Sequence, residues 1–104
     1  MKLNPEKITW TAPTQNVDGT PIDYALAYRL YVDGSPVADF PGSLNTDGRY
    51  EMLYADVPAI GLGSHAITLT AFRQDIPELE SDQSNVVEVY FGSKPEAPLG
   101  VDSL

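Results

Sequence analysis

Short blocks of alternating apolar and polar residues recur along this chain, and each block ends at glycine, proline or Asp-Gly. The clearest blocks are residues 8–13, 28–32, 65–71 and 84–89. Alternation with a period of two buries one face of a β-strand and leaves the other face in water. No window has the apolar spacing of three and four residues, with caps at both ends, that an amphipathic helix needs. The pattern therefore predicts an all-β domain built from two facing sheets.

One hairpin is specified locally. The longest alternation, Tyr24 to Val32, runs directly into Asp33-Gly34. Two-residue hairpin turns require positive φ, and Asp-Gly is among the pairs that adopt it most readily. Residues 35–40 are therefore predicted to fold back as the partner strand. Pro36 and Pro41 favour a short edge strand that resists pairing with another chain.

The rest of the chain alternates between strand and turn signals. Further strands are predicted at 49–57, 65–71 and 86–91, with turn-rich segments at 44–48, 58–64 and 75–83. This spacing is typical of an antiparallel β-sandwich, here of six to seven strands within residues 1–92. Residues 93–104 contain two prolines and one glycine, which predicts an extended C-terminal tail.

Several of these signals occur in a familiar order. Trp10 comes first, then Tyr28-Arg-Leu-Tyr31, a glycine-rich turn entering residues 65–71, and Ser84-Asn85 opening the last strand. Over residues 8–91 this order resembles the fibronectin type III family. The resemblance implies an immunoglobulin-like sandwich of seven strands with Trp10 packed beneath the middle of the two sheets. The core signature is then expected to comprise Trp10, Tyr28, Leu30, His65, Ile67, Leu69 and Val89.

The chain departs from the family pattern at two places. The family usually has tyrosine where His65 stands, and the tyrosine hydroxyl ties a corner to upstream backbone; a histidine ring nitrogen can make a similar bond. The family also has a first strand before that of Trp10, but only residues 1–7 are available here and Pro5 interrupts them. The first strand is therefore predicted to be short or missing.

A missing first strand has a consequence for the tail. The strand of Trp10 would keep an open edge, and an extended segment carrying Leu99, Val101 and Leu104 is suited to add to it. The sequence leaves open whether that segment comes from the same chain or from a neighbour.

Composition narrows the possible partners. The 104 residues include 6 basic and 15 acidic side chains, which gives a formal net charge of -9, and no cysteine. An acidic surface repels phosphate, so nucleic acid and anionic membranes are not expected as partners. The sequence has neither an apolar run typical of a signal peptide nor one of membrane-spanning length, which predicts synthesis and folding in the cytoplasm.

No set of residues points to catalysis. His65 is the single histidine, no Gly-x-Ser-x-Gly segment accompanies it, and its strand alternation turns it toward the core. Asp75, Glu78, Glu80 and Asp82 lie in one segment, but they lack a calcium-loop pattern and are expected to be solvated. We therefore predict no enzyme activity, no catalytic residue, no bound metal and no cofactor.

Three functions remain open at this point. The leading hypothesis is a structural or protein-interaction module, because the chain resembles the small fibronectin-like and immunoglobulin-like proteins of bacteriophage virions that decorate capsids or associate with tails. The second is a carbohydrate-binding module that uses the outward-facing aromatic residues Tyr31 and Tyr90 for surface glycans. The third is a domain excised from a larger secreted protein.

Overall fold

A computed structural model describes residues 1–41 and 49–104, and this part of the chain folds into β-strands with one short 3₁₀ turn and no α-helix. The predicted turn at 44–48 lies outside the described residues. The strands are β1 (Lys2–Leu3), β2 (Lys7–Trp10), β3 (Leu26–Val32), β4 (Ser35–Pro41), β5 (Tyr50–Leu53), β6 (Gly63–Arg73) and β7 (Val87–Phe91), and the 3₁₀ turn is η1 (Tyr54–Asp56). The all-β prediction is confirmed.

The larger sheet contains five strands in the order β1-β7-β6-β3-β4. Four of its strands form antiparallel ladders, whereas β1 runs parallel to β7, with Lys2 opposite Val89 and Leu3 opposite Tyr90. The expectation of a purely antiparallel arrangement is wrong at this ladder. The first strand is short, as predicted, since it has two residues.

The β3–β4 hairpin forms where the Asp-Gly pair predicts it. Asp33 and Gly34 have φ values of 53° and 85°, the positive values that a two-residue turn requires. The register shifts between Leu30 and Tyr31, so that Leu30 lies opposite Ala38 and Tyr31 lies opposite Pro36. A proline and a register shift in the outermost strand both hinder further pairing at that edge.

The smaller sheet consists of β2 and β5, with Ile8 opposite Met52 and Trp10 opposite Tyr50. The strand predicted over 49–57 stops at Leu53 because the chain tightens into η1, where the Val57 N–H donates to the Tyr54 carbonyl at 3.0 Å. Tyr54 nevertheless stays buried. The alternation predicts its burial, and local hydrogen bonding decides the turn.

The two sheets meet in one apolar core. Leu30, Ile67 and Val89 of the larger sheet have essentially no exposed surface. Ile8 and Met52 of the smaller sheet pack on the same cluster. Among the described residues the buried cluster comprises Ile8, Leu30, Val32, Met52, Tyr54, Val57, Ile67, Leu69 and Val89.

Residues 93–104 are exposed and form no strand. The molecule measures 70 × 30 × 20 Å. A twelve-residue extended segment reaches about 40 Å, which accounts for the long axis. In the described part of the chain, no helix has the length and apolar character needed to cross a membrane.

Replacing Leu30 with alanine is expected to lower the free energy of unfolding by about 2–5 kcal/mol, because the side chain is fully buried between the sheets. Urea denaturation followed by Trp10 fluorescence measures this loss. The matched control is Leu62→Ala, since Leu62 is 77% exposed, and its effect is expected to stay within about 0.5 kcal/mol. Equal losses in the two variants would contradict this description of the core.

Candidate functional site

The most distinctive surface feature is an unpaired edge of β2. Within the described residues β2 pairs with β5 on one side only, while β1 joins the other sheet. The Tyr54 N–H donates to the Glu6 carbonyl at 3.0 Å, and bonded positions recur every second residue in an antiparallel pair. The backbone groups of Ile8 and Trp10 therefore face β5, whereas those of Lys7, Thr9 and Thr11 face the open side.

A groove runs along this open edge, and we call it the lateral groove. One wall is formed by residues 8–13, and the opposite wall by residues 81–87 before and at the start of β7. Ile67 and Leu69 of β6 lie at its floor, and the cavity has a volume of about 330 Å³. This volume is near the lower end of the range for ligand pockets, and the apolar floor suits aliphatic side chains.

The opposite wall is held in place by hydrogen bonds to β6. The Ser84 N–H donates to the Leu69 carbonyl at 2.8 Å, and the Ser81 N–H donates to the Ala71 carbonyl at 2.8 Å. The two serine hydroxyls accept from the backbone N–H groups of the same β6 residues, at 3.0 and 2.9 Å. The groove is therefore a feature of the folded domain rather than a gap between loose loops.

Aromatic rings close one end of the groove. The Trp10 ring contacts Tyr28 edge-on at 5.1 Å between centroids, and it stacks on Tyr50 at 6.2 Å. The Tyr28 hydroxyl and the Trp10 indole N–H are buried and have no hydrogen-bond partner among the described residues. Burial raises the pKa of the Tyr28 hydroxyl, and nearby Tyr50 adds to the rise. The indole N–H of Trp10 lowers the pKa slightly, although the two groups do not form a hydrogen bond. Two polar atoms at the groove thus lack the partners that buried groups normally have.

The structure places the remaining core-signature residues in different surroundings. Leu30, Ile67, Leu69 and Val89 lie in the buried cluster, and Trp10 packs against that cluster while partly exposed. His65 does not lie in the cluster. It shares the alternation of Ile67 and Leu69 but sits at the rim of β6, because it is near the start of the strand.

His65 is part of a clamp on the β3–β4 turn. Its Nδ1 lies 2.7 Å from Asp33 Oδ2, and its Nε2 lies 2.8 Å from the carbonyl oxygen of Gly61, four residues upstream. The second contact is the bond to upstream backbone that the sequence suggested for a histidine at this position. Asp33 Oδ1 also accepts from the Ala66 N–H at 2.8 Å. The clamp joins the turn to the beginning of β6.

Both partners of the His65 ring are acceptors, so both contacts are hydrogen bonds only when the ring carries two protons. The Asp33 carboxylate accordingly raises the pKa of His65, the burial of the ring opposes that rise, and the Gly61 carbonyl adds to it. In return, the hydrogen bond from His65 holds the pKa of Asp33 below its usual range, and the Ala66 N–H acts in the same direction.

Tyr31 is not a free aromatic surface. Its hydroxyl donates to Glu80 Oε2, and the ring is half-buried on the outer face of the larger sheet. Tyr90 lies on the same face and is 42% exposed. Tyr31 lies opposite Thr68 and Tyr90 lies opposite Ser64, on the two sides of β6. The two tyrosines are therefore about 10 Å apart across the strands and about 13 Å apart along them. They therefore do not form one platform for a sugar ring.

The acidic side chains of segment 75–83 are predicted to be solvated, and Glu80 departs from this prediction. Glu80 turns back onto the outer face of the larger sheet, where it accepts from Arg29 Nη1 at 2.6 Å and Thr70 Oγ1 at 2.7 Å as well as from Tyr31. These donors hold the pKa of Glu80 below its usual range, and the hydrogen bond from Tyr31 has the largest effect; burial of the carboxylate acts in the opposite direction. Arg29 also binds Asp39 with two nitrogens and lies over the Phe72 ring. In the described chain no three His, Asp or Glu residues are arranged to hold a metal ion.

The tail residues of the predicted interaction set belong to no strand of the domain. Leu99 is 90% exposed, and Val101 and Leu104 are exposed as well. Sequence reasoning missed Thr9, whose backbone faces the groove, and Glu80, whose carboxylate the sequence pattern predicts to be solvated. No local signal identifies either residue, because both depend on strands far away in the chain.

Comparison of this chain with family models, with curated proteins and with solved structures produced no match.

The clamp predicts a pH dependence of stability. The pKa of His65 is higher in the folded state than in the unfolded state, where it is about 6.5. His65 therefore stabilises the fold fully at pH values below the unfolded-state pKa, and this contribution is lost as the pH rises through the folded-state pKa. Asp33 stays ionised over this interval, because its pKa is lowered from 3.8. We therefore expect the urea concentration at the unfolding midpoint to decrease as the pH is raised from about 6 to about 9.

The control for this experiment is His65→Gln, which cannot titrate. At pH 6 this variant is expected to unfold at a lower urea concentration than the parent, and its unfolding midpoint is expected to change less with pH. An identical pH profile in both proteins would contradict the clamp, as would a midpoint that rises with pH in the parent alone.

The Glu80 network predicts a second stability effect. Glu80→Gln is expected to lower the free energy of unfolding by about 1–3 kcal/mol, because it removes the charge facing Arg29 and weakens the bonds from Tyr31 and Thr70. Urea denaturation measures the loss. Glu78→Gln serves as the control, since Glu78 is exposed in the same segment, and it is expected to leave stability within about 0.5 kcal/mol. Equal effects of the two substitutions would contradict the network.

Proposed function

We propose that this protein is a non-enzymatic protein-interaction module of the fibronectin type III kind, acting as a bacteriophage virion accessory protein that decorates the capsid or associates with the tail. The observation that carries the interaction part of this proposal is the open edge of β2 along the lateral groove.

The strand arrangement supports the family part of the proposal. β2 and β5 form one sheet, while β3, β4, β6 and β7 form most of the other, and Trp10 packs between the two. The bond from His65 to the Gly61 carbonyl occupies the place of the corner bond that the family makes through tyrosine. The difference lies in the first strand, which would normally cover β2.

The open edge suggests how a partner binds. An extended segment placed beside β2 would pair with the outward backbone groups of Thr9 and its neighbours Lys7 and Thr11. Its alternate side chains would enter the groove above Ile67 and Leu69. Backbone pairing supplies affinity in this mode, and the apolar floor selects aliphatic side chains.

The charge of the protein supports a role on a protein assembly. A formal net charge of -9 repels nucleic acid and helps to keep the free protein in solution. The proposed partner is therefore a protein surface, such as a multimeric shell or tail component. The carbohydrate hypothesis loses support because the Tyr31 hydroxyl is bound to Glu80.

Photo-crosslinking tests this function. A benzophenone amino acid replaces Thr9 at the groove, or Val17 as a fully exposed control, while particles of the encoding phage assemble in the host. We expect the protein in gradient-purified particles, with an adduct to a shell or tail protein from position 9 and none from position 17.

Absence of the protein from the particles would overturn the virion role. Adducts of equal yield from both positions would overturn the assignment of the groove as the docking site.

A further inference from the structure

We propose that the lateral groove accepts the C-terminal tail of a second copy of this chain, whose Leu99 and Val101 enter the groove as part of a strand added to β2. This inference rests on the proposed function in one respect, namely that the groove takes an extended protein segment.

The tail has the properties of a donor strand. Leu99 and Val101 are two residues apart, so they share one face of an extended segment. They are 90% and 82% exposed, and among the described residues no hydrogen bond joins the tail beyond Gly92 to the domain. Gly100 between them has φ 67°, and a glycine can change to extended φ without steric cost. Insertion would remove two large aliphatic side chains from water.

The acceptor has complementary properties. The outward backbone groups of Lys7, Thr9 and Thr11 form a short ladder for an added strand. Ile67 and Leu69 form an apolar floor below that ladder. The added strand would take the place that a first strand occupies in the fibronectin-like arrangement, and β1 leaves this place open because it pairs with β7.

The position of Gly92 favours the tail of a second copy over the protein's own tail. The Gly92 N–H donates to Asn4 Oδ1 at 2.9 Å, which anchors the start of the tail three residues before β2. From Gly92 to Leu99 the chain advances seven residues, about 22 Å in the extended form that Pro95 and Pro98 favour. β7 begins beside the groove at Val87 and ends one residue before Gly92, so the tail leaves the domain at the end of β7 that lies away from the groove. To enter its own groove the tail would have to reverse its direction, whereas the observed tail continues away from the domain.

The direction of the tail agrees with this argument. The molecule is 70 Å long and at most 30 Å across, because the tail extends away from the domain. A neighbour can therefore reach the tail without displacing any strand of the donor domain.

The resulting contact joins two different surfaces, so the assembly is head-to-tail. Such contacts close into a ring if the rotation permits and otherwise continue as an open chain. Each copy carries a formal net charge of -9, and the copies repel one another at low ionic strength. Added salt is expected to promote association.

Two variants of the full-length chain separate donor from acceptor. The donor-deficient variant is Leu99→Glu with Val101→Glu, and its control is Leu62→Glu at a leucine outside the tail that is 77% exposed. The acceptor-deficient variant is Thr9→Pro, which removes a backbone N–H from the open edge and leaves the bonds to β5. Its control is Thr9→Ala, which keeps that N–H. Circular dichroism confirms that each variant keeps its strands.

Sedimentation velocity over a wide concentration range, at low and high salt, provides the readout. We expect concentration-dependent oligomers of the parent chain and of both controls, and monomers of each deficient variant. A mixture of the two deficient variants is expected to form a one-to-one heterodimer that grows no further, because it contains one intact tail and one intact groove. A parent chain that stays monomeric would overturn the inference, and so would deficient variants that still self-associate or that fail to form the heterodimer.

Failure here differs from failure of the proposed function. If the parent chain is monomeric but crosslinks from position 9 to a shell or tail protein, the self-assembly inference is wrong and the docking role stands. Self-adducts from position 9, together with the heterodimer of the mixed variants, would support the inference whether or not the protein is found in particles.

Discussion

The inner face of a five-stranded sheet has to be kept dry, and only two strands of the described chain cover it. Leu30, Ile67 and Val89 are completely buried because β2 and β5 lie over them. Two strands are too narrow to reach the whole face, so one flank stays open beside β2. The lateral groove lies along this flank, and its floor consists of Ile67 and Leu69, whose side chains have almost no exposed surface.

The outer face is covered in a different way. No second layer packs there in the described chain, and the segment that precedes β7 folds back instead, so that Glu80 gathers Arg29, Tyr31 and Thr70. The same segment continues as one wall of the groove through Ser81 and Ser84. The polar contacts on one side of the sheet therefore help to position the docking surface on the other side.

The clamp around His65 and the groove act on different parts of the structure. His65 and Asp33 fix the β3–β4 turn to the start of β6, whereas the groove depends on β2 and the segment before β7. Because these elements are separate, protonation of His65 is expected to affect stability without changing the groove. A binding role based on backbone pairing also requires little of any one side chain, which fits a chain with no catalytic constellation among its motifs.

Local patterns in the sequence determined the strands and one turn. Alternation within a few residues identifies β3 and β6, and Asp33-Gly34 specifies the hairpin, because these choices depend on neighbouring residues alone. Only the tertiary structure decided that β1 pairs with β7 instead of β2, and that Glu80 reaches Arg29 across 51 positions. Such contacts depend on which strands become neighbours in space, and that choice is made by burial over the whole chain. For this reason the tail residues Leu99 and Val101 could be recognised from the sequence, while the open groove could be described only from the folded domain.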